Sequence, residues 1–148
     1  MTSTLPEFRL AIASNLENVD LVEAILEAAF ERFGLTSEEN FKVGLAVREA
    51  VANAVQHGNQ LDKEKRVTVE LWPLAGGIAI RVTDEGDGFD PQEVPDPLAP
   101  ENLLKPSGRG ILLMNNLMDE VKFDYHPNQG MFVTLRTATS SPDLQCPT

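Results

Sequence analysis

Two amphipathic helical patterns ahead of Gly58, followed by short segments that alternate apolar and polar residues, predict an α+β fold. The expected architecture is a two-layer sandwich, with one mixed, mostly antiparallel sheet and helices on one face. Helices bunched early and antiparallel strands late give this class. At 148 residues and 42% hydrophobic content the chain suits a single core.

Residues 8–13 alternate, with Phe8, Leu10 and Ile12 on one face, and read as an edge strand. Over 18–33, Val19, Val22, Ile25, Leu26, Ala29, Phe30 and Phe33 recur at helical spacing, and Gly34 is placed to end the helix. Thr36 with Glu39 three residues on is a capping box. It opens a second helix of about six turns, with Phe41, Leu45, Ala52 and Val55 as its apolar positions, ending at His57 and Gly58. Strands are expected at 66–72 and 78–83, paired antiparallel around a turn at 73–77. Residues 84–90 form a glycine-rich acidic loop, and 91–106, with five prolines, read as a flexible lid. Gly108 then starts an apolar helix through Leu117, and a final hairpin joins 120–125 to 131–137. Residues 138–148, rich in Ser and Pro, are expected to be a disordered tail, which leaves 7–137 as the domain.

Composition narrows the partners. Acidic residues number 23 against 12 basic, a formal charge of -11, and no basic patch stands out, which argues against direct nucleic-acid or membrane-surface binding. Cys146 is the sole cysteine, so no disulfide framework or cysteine metal site is expected, and His57 and His126 are too scattered for zinc. No stretch approaches the roughly 20 apolar residues of a membrane span, and the cytosol is the expected compartment.

Three patches carry the chemistry. On the second helix, Glu49, Asn53 and His57 are four apart and stack on one face, so a carboxylate and an amide stand at the edge of the core. For any one of them a solvated face is the simpler account, yet a half-buried Glu beside an Asn calls for a partner or a metal ion. Asp84 ends a strand and is followed by Gly86 and Gly88, whose backbones can approach a flat ligand while the carboxylate accepts from an exocyclic amine. A plain acidic turn is the bland alternative. Calcium is set aside, because glycines occupy the third and fifth ligand positions. Ser107, Gly108, Arg109 and Gly110 open a helix, a natural phosphate seat, although neither a Walker loop nor a dinucleotide fingerprint is present.

The order of these patches is more specific than any one of them. The runs REAVANAVQHGN, VTDEGDGFDP and LLKPSGRGILLMNNLMDEV resemble the nucleotide-binding boxes of the GHKL ATPases, and their wording is closest to the anti-sigma factor serine/threonine kinases. The resemblance implies the Bergerat ATP-binding fold, with ATP and Mg²⁺ as cofactors. Asn53 would ligate the magnesium, Asp84 would hold the adenine amine, and Gly86 and Gly88 would shape the adenine pocket. Lys105, Ser107, Gly108, Arg109 and Gly110 would cover the phosphates. Glu49 would act as general base on a serine hydroxyl of a protein anti-sigma antagonist. A sigma factor would be the sequestered partner, and the chain would form a homodimer. Relatives place a Thr two residues past the glycine of the last hairpin; here that residue is Phe132, and Thr134 on the same strand face is expected to take over the support of Asp84.

Other readings are a non-catalytic ATP-gated module that sequesters a regulator, the catalytic domain of a sensor histidine kinase, and the ATPase module of a chaperone or topoisomerase. Glu49 argues against the first. The second needs a phosphoacceptor helix, where only seven residues precede the first strand, and the third needs transducer domains. The acidic run Glu17, Asp20, Glu23, Glu27 and Glu31 is read as a solvated helix face.

Overall fold

The computed structural model describes residues 5–86, 106–126 and 130–140. The elements are β1 (Phe8–Ala13), α1 (Glu17–Arg32), α2 (Ser37–Asn53), β2 (Arg66–Leu74), β3 (Gly77–Thr83), α3 (Pro106–Leu117), β4 (Glu120–His126) and β5 (Gly130–Ala138). They form a five-stranded sheet in the order β1-β2-β3-β5-β4. All ladders among the described residues are antiparallel, so no parallel pair enters a sheet expected to be mixed. The helices cover one face, with α2 packed between α1 and α3.

Strand alternation decides which side chains meet the helices. Val67, Val69 and Leu71 of β2, Ile78, Ile80 and Val82 of β3, and Met131, Val133 and Leu135 of β5 are buried. They meet Val22, Leu26 and Phe30 of α1, Val43, Val47 and Val51 of α2, and Met114 of α3 in one core. Full burial of each such side chain contributes about 1.5–3 kcal/mol. The opposite face is uncovered and more polar, and there the Arg81 guanidinium lies 5.4 Å from the Trp72 ring centroid and 5.8 Å from that of Phe132.

The inner stripe of α2 differs from the expected one. Phe41 is 71% exposed and Leu45 and Ala52 are only half-buried, whereas Val43, Ala46, Val47, Ala50 and Val51 form the buried face. Small residues fill that stripe because α2 is the middle helix and lies close over the sheet. Its start is as read: Thr36 Oγ1 accepts from the Glu39 N–H at 3.1 Å, and Glu39 Oε1 accepts from the Thr36 N–H at 2.9 Å. Arg48 ties α2 to α1 by donating to Asp20 at 2.7 Å and to Glu23.

Two boundaries move. The turn between β2 and β3 is shorter than expected, only residues 75–76, with Gly76 at φ +71°. α3 begins at Pro106 instead of Gly108, since proline at a first helical position lacks only an N–H that would be unbonded anyway. Past β5 the backbone stays bonded: the Thr139 N–H donates to Gly76 O, and the Ser140 N–H donates to Glu39 Oε2 at 2.6 Å. The acidic loop beyond Gly86, the proline-rich lid up to residue 105, the tip of the last hairpin at 127–129 and the tail from 141 lie outside the described residues.

Removing the cap hydroxyl tests this account of the α2 start. Thr36→Ala should lower unfolding free energy by about 1 kcal/mol, read as a shift of the urea midpoint without a change in slope.

Candidate functional site

Asp84 leaves the end of β3 and turns into the molecule, where it is 4% exposed. Its Oδ1 accepts from the Gly86 N–H at 3.0 Å and from the Met131 N–H at 3.2 Å. Burial pushes its carboxyl above the ordinary value of 3.8, against the pull of those two N–H groups and of the Lys65 charge. Its Oδ2 has no hydrogen-bond partner among the described residues, and the residue lines a cavity of about 150 Å³.

Glycines make room for this carboxylate. A Cβ on Gly58 would sit 2.1 Å from Asp84 Oδ2, and one on Gly86 would sit 1.9 Å from the Gly58 carbonyl oxygen. Gly130 has φ +97°, and a Cβ there would fall 2.0 Å from the Asp84 carbonyl oxygen. The approach to Gly58 is a local break in the helix: after Asn53, residues Ala54–Gly58 form a π-helical turn. It closes with the Asn59 N–H donating to Ala54 O at 2.8 Å, and Gln60 and Leu61 come next with φ 53° and 60°. Such insertions and left-handed residues gather at functional sites because the surroundings must hold them there.

The second group of expected residues converges on α3. Glu49 and Asn53 are half-buried on the flank of α2, and a Cβ on Gly110 would stand 2.9 Å from Glu49 Oε2 and 3.5 Å from Asn53 Nδ2. The first helix turn of α3, holding Ser107, Gly108 and Arg109, immediately precedes that contact. Hence the α2 patch and the start of α3 adjoin. The cavity joins them to Asp84: Ala50, Asn53, Ala54, His57 and Gly58 line one side, Ile111 and Met114 another, and Val82, Phe123, Met131 and Val133 its floor. Apolar walls with a few polar groups are the usual lining of a small-molecule site.

Thr134 does not belong to this assembly. It pairs with Arg81 and Lys122 in the sheet, and the buried neighbours Val133 and Leu135 point to the core, so Thr134 faces the uncovered side together with Phe132. The backbone N–H of Met131 supports Asp84 in its place. Gly88 and Lys105 lie outside the described residues. His57 lines the cavity mouth and, among the described residues, makes no hydrogen bond of its own side chain.

Two buried polar residues have no role in the sequence reading: Ser14 at 0% and Asn59 at 1% exposure. Asn59 stands beside a glycine at the close of a helical pattern, so it reads as a C-terminal signal, and nothing local reveals its reach to β1 and β2.

Known proteins provide an independent line. Over residues 12–137 the sequence matches the family described as Histidine kinase-like ATPase domain. It is 30% identical over 132 residues to the serine-protein kinase RsbW of Bacillus subtilis, covering 85% of this chain and 82% of that protein. With the anti-sigma F factor of Geobacillus stearothermophilus, identity is 31% over 144 residues, 95% of this chain and 97% of that one. Among solved structures, the RsbU and RsbW domains from Mycobacterium tuberculosis share the fold, with a TM-score of 0.62 at 21% identity. That match covers 93% of this chain, which spans only 34% of the Mycobacterium chain's length. Among the described residues no helix is long and apolar enough to cross a membrane, and no group of three or more His, Cys, Asp or Glu gathers.

The raised Asp84 pKa has a signed consequence. Its folded form holds the proton more tightly than the unfolded chain, so stability falls as pH rises from 3.8 through the raised value, and the penalty persists above it. Asp84→Asn keeps an oxygen for the Gly86 and Met131 N–H groups without the buried charge. Its stability advantage over wild type, measured by urea unfolding across acid to neutral pH, should grow through that window and then level off.

Proposed function

This chain belongs to the family of histidine kinase-like ATPase domains, and we propose that it is an ATP-dependent serine kinase that acts as an anti-sigma factor. The observation that carries this reading is the open Oδ2 of Asp84 on an apolar cavity that Asn53 also lines, with Glu49 beside Asn53 under Gly110 of α3. That arrangement provides a base-recognition end after β3 and a phosphate end between α2 and α3.

The residues suit the implied group. The space over Glu49 and Asn53 is kept by the missing Cβ of Gly110. An amide and a carboxylate are hard oxygen donors, the class magnesium takes. Bound ATP with its magnesium ion would supply the transferable phosphoryl group and the local positive charge that phosphoryl transfer needs. Asp84 would accept a hydrogen bond from the exocyclic amine of adenine through Oδ2, its Oδ1 being already engaged. Asn53 would offer its amide oxygen to the metal ion. The N–H groups of Ser107 and Gly108, which come before the first intrahelical bond of α3, would seat phosphate oxygens, with Arg109 beside them and Gly110 closing over α2. Lys105 and Gly88 would flank the phosphates and the base. Glu49 would take the proton of the incoming serine hydroxyl as the Oγ–phosphorus bond forms and the phosphorus–oxygen bond to the departing ADP breaks.

The acceptor would be a serine of a protein anti-sigma antagonist, and a sigma factor would be the sequestered partner, in line with the serine-protein kinase and anti-sigma factor names carried by relatives. We place this exchange in the cytoplasm, with the chain as a homodimer and without direct nucleic-acid or membrane contact.

Titration calorimetry with ATP and ADP tests the nucleotide site: wild type should take up both only with magnesium present, and Asn53→Ala should lose the magnesium dependence. Absence of magnesium-dependent uptake by wild type would remove the reading. For catalysis, Glu49→Ala should retain ADP binding while phosphate transfer to a candidate antagonist falls roughly 10²–10⁴-fold, the contribution of a positioned base. Unchanged transfer would take the base role from Glu49.

A further inference from the structure

The geometry points to Asn59 as the residue that fixes the base-recognition carboxylate, so that the preference for adenine over guanine depends on a side chain that never touches the base. This inference rests on the reading of Asp84 as the adenine acceptor.

Asn59 uses both ends of its amide. Oδ1 accepts from the Glu85 N–H at 2.8 Å, while Nδ2 donates to Ser14 Oγ at 2.8 Å and to Arg66 O at 3.0 Å. Ser14 Oγ in turn donates to Lys65 O at 2.7 Å. One buried side chain therefore joins the segment after β1, the π-helical turn, the start of β2 and the loop after β3. Glu85 is held a second time, since its carboxylate accepts from the Arg66 N–H. The peptide after Asp84 thus cannot rotate without breaking bonds to residues far away in sequence.

Position matters here more than presence. Guanine carries a carbonyl where adenine carries its amine, and a carboxylate can refuse that carbonyl only if it cannot swing aside. On its Oδ1 side Asp84 is held by Met131 and Gly86; on the other, Gly58 lies in close contact with Oδ2. Gly58 is itself adjacent to Asn59, and the left-handed Gln60 and Leu61 come directly after. Strained backbone of that kind persists only when its neighbours over-determine it; here the Leu61 N–H to Val55 O bond holds it from within and the amide of Asn59 ties it to β1, β2 and the loop after β3. Shortening Asn59 frees the Glu85 N–H and cuts the tie between that loop and the residue after Gly58, which loosens the carboxylate.

Ser14 provides the control. Ser14→Ala removes one partner of Nδ2 and the bond to Lys65 O, but leaves the Oδ1 to Glu85 bond in place. Affinities of the full chain for magnesium ADP and magnesium GDP, measured by calorimetry alongside the thermal midpoint, separate the two roles. Asn59→Ala should reduce the ADP-over-GDP ratio by roughly tenfold or more, the size of one lost hydrogen bond. Ser14→Ala should lower the midpoint yet keep the wild-type ratio. If Asn59→Ala does not fold, Asn59→Ser, which leaves a polar group in the buried site, is read in the same way. A wild-type ratio in the Asn59 variant, or an equal loss in both variants, overturns the proposal while the nucleotide site stands. A wild-type chain that binds ADP and GDP alike overturns it together with the reading of Asp84.

Discussion

A carboxylate that is only 4% exposed sets the terms for the whole site. Burying Asp84 against Val82, Met131 and Val133 opposes its ionisation, and the structure compensates only in part, with two backbone N–H groups on one oxygen. The other oxygen stays open on a cavity. A chain selected for stability alone would place a neutral side chain here. A buried acid kept at this cost suits the recognition role proposed for Asp84. The exclusion of Cβ atoms at Gly58, Gly86 and Gly130 comes from the same requirement, since each would intrude on Asp84 or on the loop that carries it.

α2 connects that acid to the phosphate end. From Glu49 to Gly58 the backbone advances about 13 Å at helical rise, with the π-helical turn occupying the last stretch. The inserted residue rotates Gly58 and Asn59 about the axis relative to a regular helix. Glu49 and Asn53 look toward α3, whereas Gly58 meets Asp84 and Asn59 turns in toward β1 and β2. Without the insertion, an i to i+4 ladder would carry the face of Glu49 and Asn53 straight on through residue 57. On the proposed reading, the break is thus the means by which one helix serves two ends of a nucleotide. Glycine at 58 and buried amide at 59 are its two sequence requirements.

Much of this is legible in the residues, for physical reasons. The capping box announces α2 because both of its hydrogen bonds are local, and β1 is readable because an edge strand packed on one side alternates cleanly. Asp84 and its glycines are recognisable because backbone approach needs glycine. The inner stripe of α2 is misleading in sequence: Phe41 is the largest apolar side chain in its pattern, yet a middle helix packed close to a sheet buries Ala and Val and can leave a Phe at its margin. The expectation for Thr134 rests on a motif offset, while its direction is set by strand parity, which sends Val133 inward and Thr134 out. Asn59 escapes a reading of the sequence because its partners, Ser14 and Glu85, lie 45 and 26 residues away, and no local pattern encodes such contacts.

The distribution of charge is compatible with the proposed seating of an anionic nucleotide on so acidic a chain. Exposed carboxylates line α1, and Arg48 is engaged with Asp20 and Glu23, so the helical surface remote from the cavity is strongly negative. The uncovered sheet face carries Arg9, Arg66, Arg81, Lys122 and Arg136 against Glu70, Glu120 and Asp124, a small excess of positive charge. At physiological salt these fields fade over about 8 Å, whereas the N–H groups at a helix start act at contact distance and lose little to screening. Net charge therefore governs how slowly an anionic ligand arrives. On the proposed reading, what keeps it is the short-range set of donors at the start of α3, and that set depends on Gly110 letting α3 lie against Glu49 and Asn53 without a side chain between them.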